Sequence, residues 1–520
     1  MLFYTFILLI LLSGSLICMG DSWVALFNNL TLNGSVWNPI LSLDLTTSLV
    51  LLMLSICFGY AFFYTGHYFG GDLWGIHLNK IIASFVAVMF SLVLTGDFLS
   101  TLVFWEYLGV VSFFLILFYM NYLSLRSSIV TLVSSRFGDV CLFLLIAMMW
   151  YNTYSALLIT IVFFFIVLTK SASFPFISWL LEAMRAPTPV SSLVHSSTLV
   201  AAGVWFSMRY DMFLFYNDSF IFLLILLTTI FITGVCCFFF LDLKKIVALS
   251  TCNNISWCLF YLICGDVTLS LFQLVSHGVS KCLLFMLVGD VMSGAGGSQA
   301  SNCVYMPRMY GSWGLFGLFS IILGLSGVPF IGVFFTKHFL LTTFSSSLNV
   351  FLFSFTLLCV FLSYFYSFRL CSVLSSLQTS IPSGVLFSFS SGLMVYFWLM
   401  INCFIAGSLD EVTGLGLVSS SWLISFQLVS CITAYAAYSS TLLSNWSSSI
   451  FGCDNIVEAC YSLYGTICNS VSLFFFRWDN YSISLFQGQG LVFTTLFNYS
   501  VLNFIMLSLG LFLMLWFILS

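Results

Sequence analysis

The fold of this chain is decided by the stretch Lys170-Ser-Ala-Ser-Phe-Pro-Phe-Ile-Ser-Trp-Leu-Leu-Glu-Ala-Met-Arg-Ala-Pro-Thr-Pro-Val-Ser-Ser-Leu-Val-His195. Its lysine closes the almost entirely apolar run Thr160–Thr169, and Pro175 breaks the helical pattern directly after it. A charge so deep in hydrophobic sequence is costly and rare unless it has a function. Membrane transporters use interrupted helices of this kind as ion sites. The stretch therefore predicts an ion-handling site inside a membrane.

The composition of the whole chain supports an integral membrane protein. Its 520 residues are 61% hydrophobic and 6% charged, with a mean hydropathy of +1.14, whereas a soluble domain has about 25% charged residues. The 17 cysteines lie mostly singly in apolar runs, which is typical of small buried side chains and not of zinc or disulfide spacing. No basic cluster indicates nucleic-acid binding.

Apolar runs long enough to cross a bilayer, about 20 residues each as helices, recur along the sequence. We expect an all-α, polytopic membrane protein with about fifteen transmembrane helices and two antiporter-like repeats that contain broken helices. The predicted spans are approximately 2–19, 45–65, 79–95, 98–119, 127–150, 156–173, 190–208, 218–241, 244–264, 267–290, 312–334, 350–376, 384–407, 420–444 and 498–519. Residues 1–20 have neither a basic start nor transit-peptide character, so they predict a first transmembrane helix.

These spans divide the sequence into six predicted regions. They are N-terminal helices (1–97), a first repeat (98–241), a second repeat (242–376), C-terminal helices (377–446), a lateral segment (447–497) and an anchor helix (498–520). Within the lateral segment, residues 447–485 mix charged and large apolar side chains, which favours an amphipathic helix lying along a membrane or along partner subunits. An irregular loop is the alternative. At about 1.5 Å rise per residue such a helix is roughly 60 Å long at most.

Three of the six lysines lie within or at breaks in apolar segments. They are Lys170, Lys281 and Lys337. Lys80 and the pair Lys244–Lys245 lie at span ends, where a lysine can reach the membrane surface. Lys337 follows a second Pro/Gly interruption, Gly327-Val-Pro-Phe-Ile-Gly332. Paired interrupted segments in two halves are typical of transporters built from repeats.

Glu106, inside the predicted span 98–119, is the candidate partner of Lys170. Burial disfavours a charged amine, and a nearby carboxylate favours it. A lysine whose carboxylate partner can approach or withdraw is therefore a proton switch. We expect Glu106 and Lys170 to form such a pair.

The other charged residues of the first half each have a simpler interpretation. Arg136 and Asp139 are three residues apart in one predicted helix, so an ion pair within that helix would explain both. Asp242 and Lys244–Lys245 would simply anchor a helix end.

The histidines also allow two interpretations. His195 alone on an apolar face would usually be a core histidine with its hydrogen bonds satisfied, although its position after a proline-broken segment favours function. His277 and Lys281 are four residues apart and so lie on the same face of their helix, which indicates a shared polar seam.

Taken in order, the motifs of this chain resemble the antiporter-like membrane subunits of respiratory NADH:ubiquinone oxidoreductase (complex I). The resemblance covers about residues 40–370. Besides the stretch 170–195 and its continuation to Gly203, it is carried by Phe104-Trp-Glu106 with Gly109, Arg136-Phe-Gly-Asp139, Asp242-Leu-Lys-Lys-Ile-Val-Ala-Leu-Ser-Thr251, Ser276-His-Gly-Val-Ser-Lys-Cys-Leu-Leu-Phe285 and Gly327-Val-Pro-Phe-Ile-Gly-Val-Phe-Phe-Thr-Lys337.

The resemblance implies a proton path in this chain. Glu106 and Lys170 match the pair at which the proton enters, His195 and Lys281 match the central hydrophilic axis, and Lys337 matches the distal broken helix near the exit. The residues that fall on the same motifs and would tune that axis are Arg136, Asp139, Asp242, His277 and His338. The amphipathic stretch and last span resemble the family's lateral helix and its anchor.

The resemblance also implies the molecular setting. We expect no cofactor in this chain, with NADH, FMN, iron–sulfur clusters and ubiquinone bound elsewhere in the complex. The expected partners are neighbouring antiporter-like subunits, other membrane-arm subunits and lipids such as cardiolipin, in the mitochondrial inner membrane. A bacterial plasma membrane is the second choice of location. A stand-alone or Mrp-type cation/proton antiporter and a structural subunit without transport are the alternatives.

Three features depart from the family pattern. Gln273 stands where a further histidine is common, which interrupts a continuous histidine relay. His338 follows Lys337 where an acidic residue is common, so the pairing on the exit side would be altered or dependent on pH near neutral. The region before Asp44 is short for the family and leaves room for one helix fewer.

Overall fold

The structure, a computed structural model, describes most of the chain from residue 22 onward. The described residues are 22–26, 30–32, 35–37, 39–151, 156–211, 220–304, 312–328, 332–344, 349–375, 389, 392–408, 417–439, 453–486, 503–504, 506–512 and 514. The chain divides into two compact units, Met1–Asn445 and Trp446–Ser520. The predicted span 2–19 lies outside the described residues, and so does most of 498–519, of which 503–504, 506–512 and 514 are helical.

Two small antiparallel strand pairs precede the helices. The strands are β1 (Trp23–Leu26), β2 (Leu30–Leu32), β3 (Ser35–Trp37) and β4 (Ile40–Leu43). β1 pairs with β4, with Trp23 opposite Leu43, and β2 pairs with β3, with Leu30 opposite Trp37. Sequence analysis missed them because three or four residues are too few to show a two-residue periodicity.

The rest of the described chain is helical, as the all-α prediction requires. The helices are α1 (Leu45–Tyr68), α2 (Leu73–Leu94), α3 (Phe98–Ile116), α4 (Tyr122–Tyr151), α5 (Ala156–Lys170), α6 (Ile177–Ala183), α7 (Thr188–Leu193), α8 (Leu199–Tyr210), α9 (Phe220–Phe239), α10 (Leu243–Ile263), α11 (Val267–Gly294), α12 (Ser312–Ser326), α13 (Phe334–Phe344), α14 (Val350–Ser375), α15 (Gly392–Ser408), α16 (Leu417–Ser439) and α17 (Cys453–Phe486). A π-helical turn, Val194–Thr198, joins α7 to α8.

Ten helical segments of the described residues are long and apolar enough to cross a membrane. Three shorter apolar helical segments, Ala156–Lys170, Phe316–Ser326 and Met394–Cys403, accompany them. The multi-pass membrane architecture is confirmed, but the count of fifteen spans is not. The predicted span 312–334 is interrupted, because α12 ends at Ser326 and Gly327 adopts a left-handed φ of +97°.

Three helical segments form the centre of the first unit. The share of buried residues in the most apolar stretch is 100% for Thr188–Tyr210 and 94% for each of the other two, Leu243–Ile263 and Val267–Gly294. The corresponding figures for α2, α3 and α4 are 39%, 39% and 28%. The central segments are the ones that carry His195 and Lys281, so these polar groups lie where lipid does not reach.

α5 ends at Lys170, and the carbonyl groups released by this break are bonded within the protein. The Leu168 carbonyl accepts from the Ser173 N–H at 3.1 Å, and the Thr169 carbonyl accepts from the Trp179 indole N–H at 3.0 Å. The Cys252 thiol lies 2.7 Å from the Ala172 carbonyl oxygen. Backbone groups without water must find such partners inside a membrane, so α6 and α10 hold the break in place.

A glycine allows α8 to lie directly against this break. A Cβ atom at Gly203 would lie 3.0 Å from the Ser171 backbone nitrogen and 3.1 Å from the Val167 carbonyl oxygen. Both atoms already form the Ser171–Val167 backbone hydrogen bond of 2.9 Å, so neither can move away freely.

In the second unit, α17 is a continuous helix of 34 residues, which is about 51 Å at 1.5 Å per residue. It occupies most of the predicted segment 447–485. The alternative of an irregular loop is therefore wrong for residues 453–486.

Replacing Gly203 by alanine tests the close approach of α8. We expect the Gly203→Ala variant to lose about 1–3 kcal/mol of stability, the usual cost of overpacking a tight contact. Gly66→Ala is the matched control, because that helical position has no atom within 4 Å of the added Cβ and should be neutral or up to about 1 kcal/mol more stable. Thermal unfolding of the purified full chain in detergent measures both. Equal unfolding temperatures for the two variants would contradict this packing.

Candidate functional site

The Lys170 amine is buried at the end of α5. The side chain is 1% exposed, and Nζ lies 3.8 Å from Asp139 Oδ1 on α4 and 5.0 Å from the ring centroid of Trp105 on α3. Neither Nζ nor Asp139 Oδ1 has a hydrogen-bond partner among the described residues. The Lys170 ammonium can therefore be held by the Asp139 charge and the indole face without fixed hydrogen bonds.

The carboxylate nearest Lys170 is Asp139 and not Glu106, which differs from the expected pairing. Glu106 is bonded to Arg136, and the Arg136 Nη1–Asp139 Oδ2 distance is 3.6 Å. The reason is positional: Arg136 lies between the two carboxylates and takes Glu106 as its partner. The predicted ion pair of Arg136 with Asp139 within one helix is present.

These four groups form a charge chain that runs inward. Side-chain exposure falls from 42% at Arg136 and 25% at Glu106 to 5% at Asp139 and 1% at Lys170. In the order of their ion contacts, which is Glu106, Arg136, Asp139 and Lys170, the charges alternate in sign. Such a chain can pass an electrostatic change from the two more exposed side chains to the buried amine.

A small cavity joins Lys170 to His195. It is lined by Ser112, Ile116, Thr131, Ser135, Thr169, Lys170, Trp179, His195 and Leu199. The space open to the centre of a water molecule is about 10 Å³, close to the minimum needed for one water. Several lining groups are hydroxyls, which can donate to and accept from such a water.

His195 lies in the π-helical turn between α7 and α8. Turns of this kind are frequently found at functional sites. The ring is fully buried, lies 6.4 Å from the Trp179 ring centroid, and neither nitrogen has a hydrogen-bond partner among the described residues. Among the described residues, no protein group satisfies the ring nitrogens, and the cavity is the space next to the ring in which a water could do so.

Lys281 has a second polar environment on α11. Its Nζ donates to Ser250 Oγ on α10 and lies 3.5 Å from the Val247 carbonyl oxygen. His277, one turn earlier on the same helix, is buried with both ring nitrogens unbonded among the described residues. The structure thus places both side chains of the predicted polar seam in the interior.

A second cavity begins at Lys281, and its space open to the centre of a water molecule is also about 10 Å³. Its polar lining includes Ser250, Asn254, Ser326 and Ser367. Ser326 is the last residue of α12, so the cavity leads from Lys281 to the second helix break.

Lys337 on α13 bonds to that break. Its Nζ donates to the Ser326 carbonyl oxygen and to Ser363 Oγ, both at 2.6 Å, and lies 4.5 Å from the Tyr364 ring centroid. The next carbonyl, that of Gly327, accepts from the Gln427 amide at 2.6 Å. Lys337 therefore caps the interrupted helix. Residues 329–331 of the predicted interruption lie outside the described residues.

The two departures from the family pattern lie beside Lys337. Gln273 on α11 accepts a 2.7 Å hydrogen bond from Thr336 Oγ1, which ties α11 to α13. His338 is 1% exposed, and its ring centroid lies 5.8 Å from that of Phe334. Gln273 thus provides a fixed hydrogen bond at the place where a histidine would provide a titratable group.

The lysine pair after Asp242 separates into two environments. Lys245 Nζ lies 2.9 Å from Asp242 Oδ2, the predicted helix-end anchor. Lys244 does not reach toward the surface as expected. It is 5% exposed and donates to the Ala186 carbonyl at 3.3 Å, in the turn that precedes α7, because that turn folds over the start of α10.

Sequence analysis also missed three polar contacts that join distant elements. Arg209 at the end of α8 pairs with Asp44 before α1, His67 pairs with Asp290, and Arg369 donates to the Cys237 and Phe240 carbonyls at 2.7 and 2.9 Å. Asp290 and Arg369 had a readable signal, a single charge in an apolar run. The identity of their partners could not be read from the sequence, because His67 is 223 residues from Asp290 and the two carbonyls are about 130 residues from Arg369.

Among the described residues, no group of three or more His, Cys, Asp or Glu side chains could hold a metal ion. The cysteines that the structure describes are free thiols. The buried lysine, histidine and aspartate side chains described above are of the residue types that can take up, hold and release protons.

The sequence of this chain is similar to a known protein family and to named relatives. The family model described as NADH:quinone oxidoreductase/Mrp antiporter, TM, matches residues 95–365, more than half of the 520. The NADH-ubiquinone oxidoreductase chain 5 of Artemia franciscana is 31% identical over 458 residues, covering 82% of each chain. The protein of the same name from Anopheles quadrimaculatus is 34% identical over 392 residues, which is 70% of this chain and 65% of that protein.

Solved structures share the fold. The Mrp complex of Dietzia sp. DQ12-45-1b superposes with a TM-score of 0.67 at 21% identity, covering 88% of this chain and 56% of that chain. The archaeal membrane-bound sulfane sulfur reductase superposes with a TM-score of 0.65 at 15% identity, covering 83% and 91%. Together with the two broken helices and their buried lysines, these matches show that the chain belongs to the NADH:quinone oxidoreductase/Mrp antiporter family of membrane proteins.

Proposed function

We propose that this chain is the chain 5 type, proton-translocating membrane subunit of respiratory complex I. The observation that carries the proposal is the set of three buried lysines, Lys170, Lys281 and Lys337, each placed among polar groups at or beside a helix break or a cavity. Buried lysines in a membrane protein are costly. A proton carrier explains why these three occur along one interior, whereas the fourth buried lysine, Lys244, donates to the Ala186 carbonyl.

The first transfer takes place between Lys170 and His195. Burial disfavours the charged amine and the Asp139 carboxylate favours it, so the proton affinity of Lys170 depends on how far Asp139 is withdrawn. Arg136 sets that position, because it is ion-paired with both Asp139 and Glu106. A proton released from Lys170 reaches His195 across the shared cavity.

The second transfer uses Lys281 and Lys337. Ser250 and the second cavity connect Lys281 with Ser326, whose carbonyl Lys337 holds. A proton that arrives from Lys281 meets an amine already oriented by Ser326 and Ser363. His277 lies one turn from Lys281, and His338 follows Lys337, so both lie where they can assist these steps.

The driving reaction lies outside this chain. NADH oxidation and ubiquinone reduction, with FMN and iron–sulfur clusters, take place in other subunits, and the neighbouring antiporter-like subunits of the membrane arm transmit the coupling. Arg136 and Glu106 are the partly exposed members of the charge chain, which makes them the groups for that contact. The proposed location is the mitochondrial inner membrane, where lipids including cardiolipin surround the chain.

An Mrp-type cation/proton antiporter is the second candidate, because the Mrp complex of Dietzia has the same fold. The relatives named chain 5, at 31–36% identity, favour complex I. Purification of the chain from its native membrane decides between the two. Copurification with NADH-oxidising activity supports complex I, and sodium-dependent antiport without it supports the Mrp type.

Lys170→Met removes the first proton carrier while keeping most of the side-chain volume. We expect the assembled complex to move fewer protons for each NADH oxidised, because a positioned proton-transfer group contributes about 10²–10⁴-fold to a proton transfer. Lys245→Met is the matched control, since Lys245 is 40% exposed and, among the described residues, its ammonium pairs with Asp242 and lies 5.9 Å from the Phe240 ring centroid. Vesicles with an internal pH dye and a parallel NADH assay give the ratio. An unchanged ratio in Lys170→Met would refute this assignment.

Ser363→Ala tests the second break. It removes one of the two hydrogen bonds of the Lys337 ammonium, and a hydrogen bond to a charged group contributes about 1.5–3 kcal/mol. We therefore expect proton transport through this half to slow by about tenfold or more. Ser372→Ala on the same helix is the control, because its hydroxyl only donates to the Arg369 carbonyl. The same vesicle assay measures both, and equal transport in the two variants would contradict the proposed path.

A further inference from the structure

His67 and Asp290 form a pair that the proton path above does not use. His67 lies in the last turn of α1 and Asp290 near the end of α11, and His67 Nε2 lies 3.2 Å from Asp290 Oδ1. The imidazole side chain is 25% exposed, whereas the Asp290 side chain is 0% exposed. The other carboxylate oxygen accepts the Phe389 backbone N–H at 3.2 Å. A titratable ring thus reaches the protein surface on one side and a buried carboxylate on the other.

Tyr64 extends the pair toward the interior. Its hydroxyl interacts electrostatically with Asp290 and is 3.5 Å from Thr188 Oγ1 at the start of α7. Gly289, the neighbour of Asp290, leaves space for this hydroxyl, because a Cβ there would meet it. The Tyr64, His67 and Phe389 rings also pack together, with centroids 5.2–6.1 Å apart.

From Thr188, hydroxyl groups continue along α7 to His195. One helix face carries four polar side chains, because Ser191, Ser192 and His195 follow Thr188 by three, four and seven residues. Ser191 Oγ donates to the Thr188 carbonyl at 2.9 Å and Ser192 Oγ to the Pro189 carbonyl at 2.8 Å. All four side chains are buried. The distance from Thr188 to His195 along the helix is about 10 Å at 1.5 Å per residue.

We propose that His67 and Asp290 form a side port through which protons exchange between the outside of the chain and His195. In the inward direction, the imidazole takes up a proton from solution and gives one to the Asp290 carboxylate. Tyr64 then accepts that proton on its oxygen and releases its own toward Thr188 and the serine hydroxyls. Each group binds one proton and releases one, so none is consumed. This inference rests on the proposed function, because it uses His195 as the acceptor.

The competing explanation is an ion pair that only joins α1 to α11. The groups that face the pair are Tyr64 and Tyr68 on α1, Thr188 on α7 and the Phe389 backbone. An ion pair needs a cation at position 67 and nothing else. A port needs a side chain that can both gain and lose a proton, which an imidazole can do and an arginine guanidinium cannot.

The test compares His67→Gln with His67→Arg in the assembled complex, reconstituted into vesicles with an internal pH dye. For a port, both variants lower proton transport by several-fold, because neither an amide nor a guanidinium takes up and releases a proton as an imidazole can. Asp290→Asn gives the same loss. If His67→Arg transports protons as well as the unaltered chain, the pair is structural and the port is wrong.

The control is the ion pair between Arg209, at the end of α8, and Asp44, which precedes α1. It lies at the end of α1 opposite to His67. Asp44→Asn removes a bond between helices without touching the hydroxyl face. If Asp44→Asn lowers transport as much as His67→Arg does, the effect is structural and the port is again wrong. Lys170→Met in the same vesicles separates the two proposals. Loss in Lys170→Met with normal transport in both His67 variants overturns only the port, and normal transport in Lys170→Met overturns the proposed function itself.

Discussion

The constraint on which this structure depends is that a helix broken inside a membrane must satisfy the carbonyl groups it releases. Water is absent there, so the protein itself supplies the donors. Trp179, Ser173 and Cys252 do this at the first break, and Lys337, Gln427 and Tyr364 do it at the second. Apart from Ser173, which lies in the first break itself, these donors come from other helices, so the breaks fix how the helices around them pack. Most of the buried polar groups of the proposed path lie at or between these two positions.

The two breaks use their lysines differently. Lys170 makes no hydrogen bond among the described residues and is held by the Asp139 charge and the Trp105 ring, whereas Lys337 is itself a cap on the Ser326 carbonyl. Hydrogen bonds from charged donors are stronger than those from neutral ones. The protonation of Lys337 therefore stabilises the second break directly, while the protonation of Lys170 is governed by the distance to a carboxylate. The two breaks thus offer different ways to couple a proton to a structural change.

The sequence predicts the features that depend on neighbouring residues and misses those that depend on residues far apart in the chain. The first break and the helix that carries Lys281 were predictable, because proline, glycine and an isolated charge in an apolar run are local signals. The partner of Lys170 was not, since Asp139 and Glu106 are both in reach along the sequence and only the position of Arg136 between them decides. The burial of Lys244 and the capping of Gly327 by Gln427, 100 residues away, depend on tertiary packing. The short strands of residues 23–43 carried too few residues for a pattern.

If this chain carries protons, they pass through two small polar cavities, one between Lys170 and His195 and one between Lys281 and Ser326. The decisive measurement is an experimental structure of the assembled membrane complex at a resolution that shows ordered water. We expect water in both cavities, within hydrogen-bond distance of the Lys170 and Lys281 amines and of a His195 ring nitrogen. Two dry cavities, with these amines bonded only to protein atoms, would contradict it.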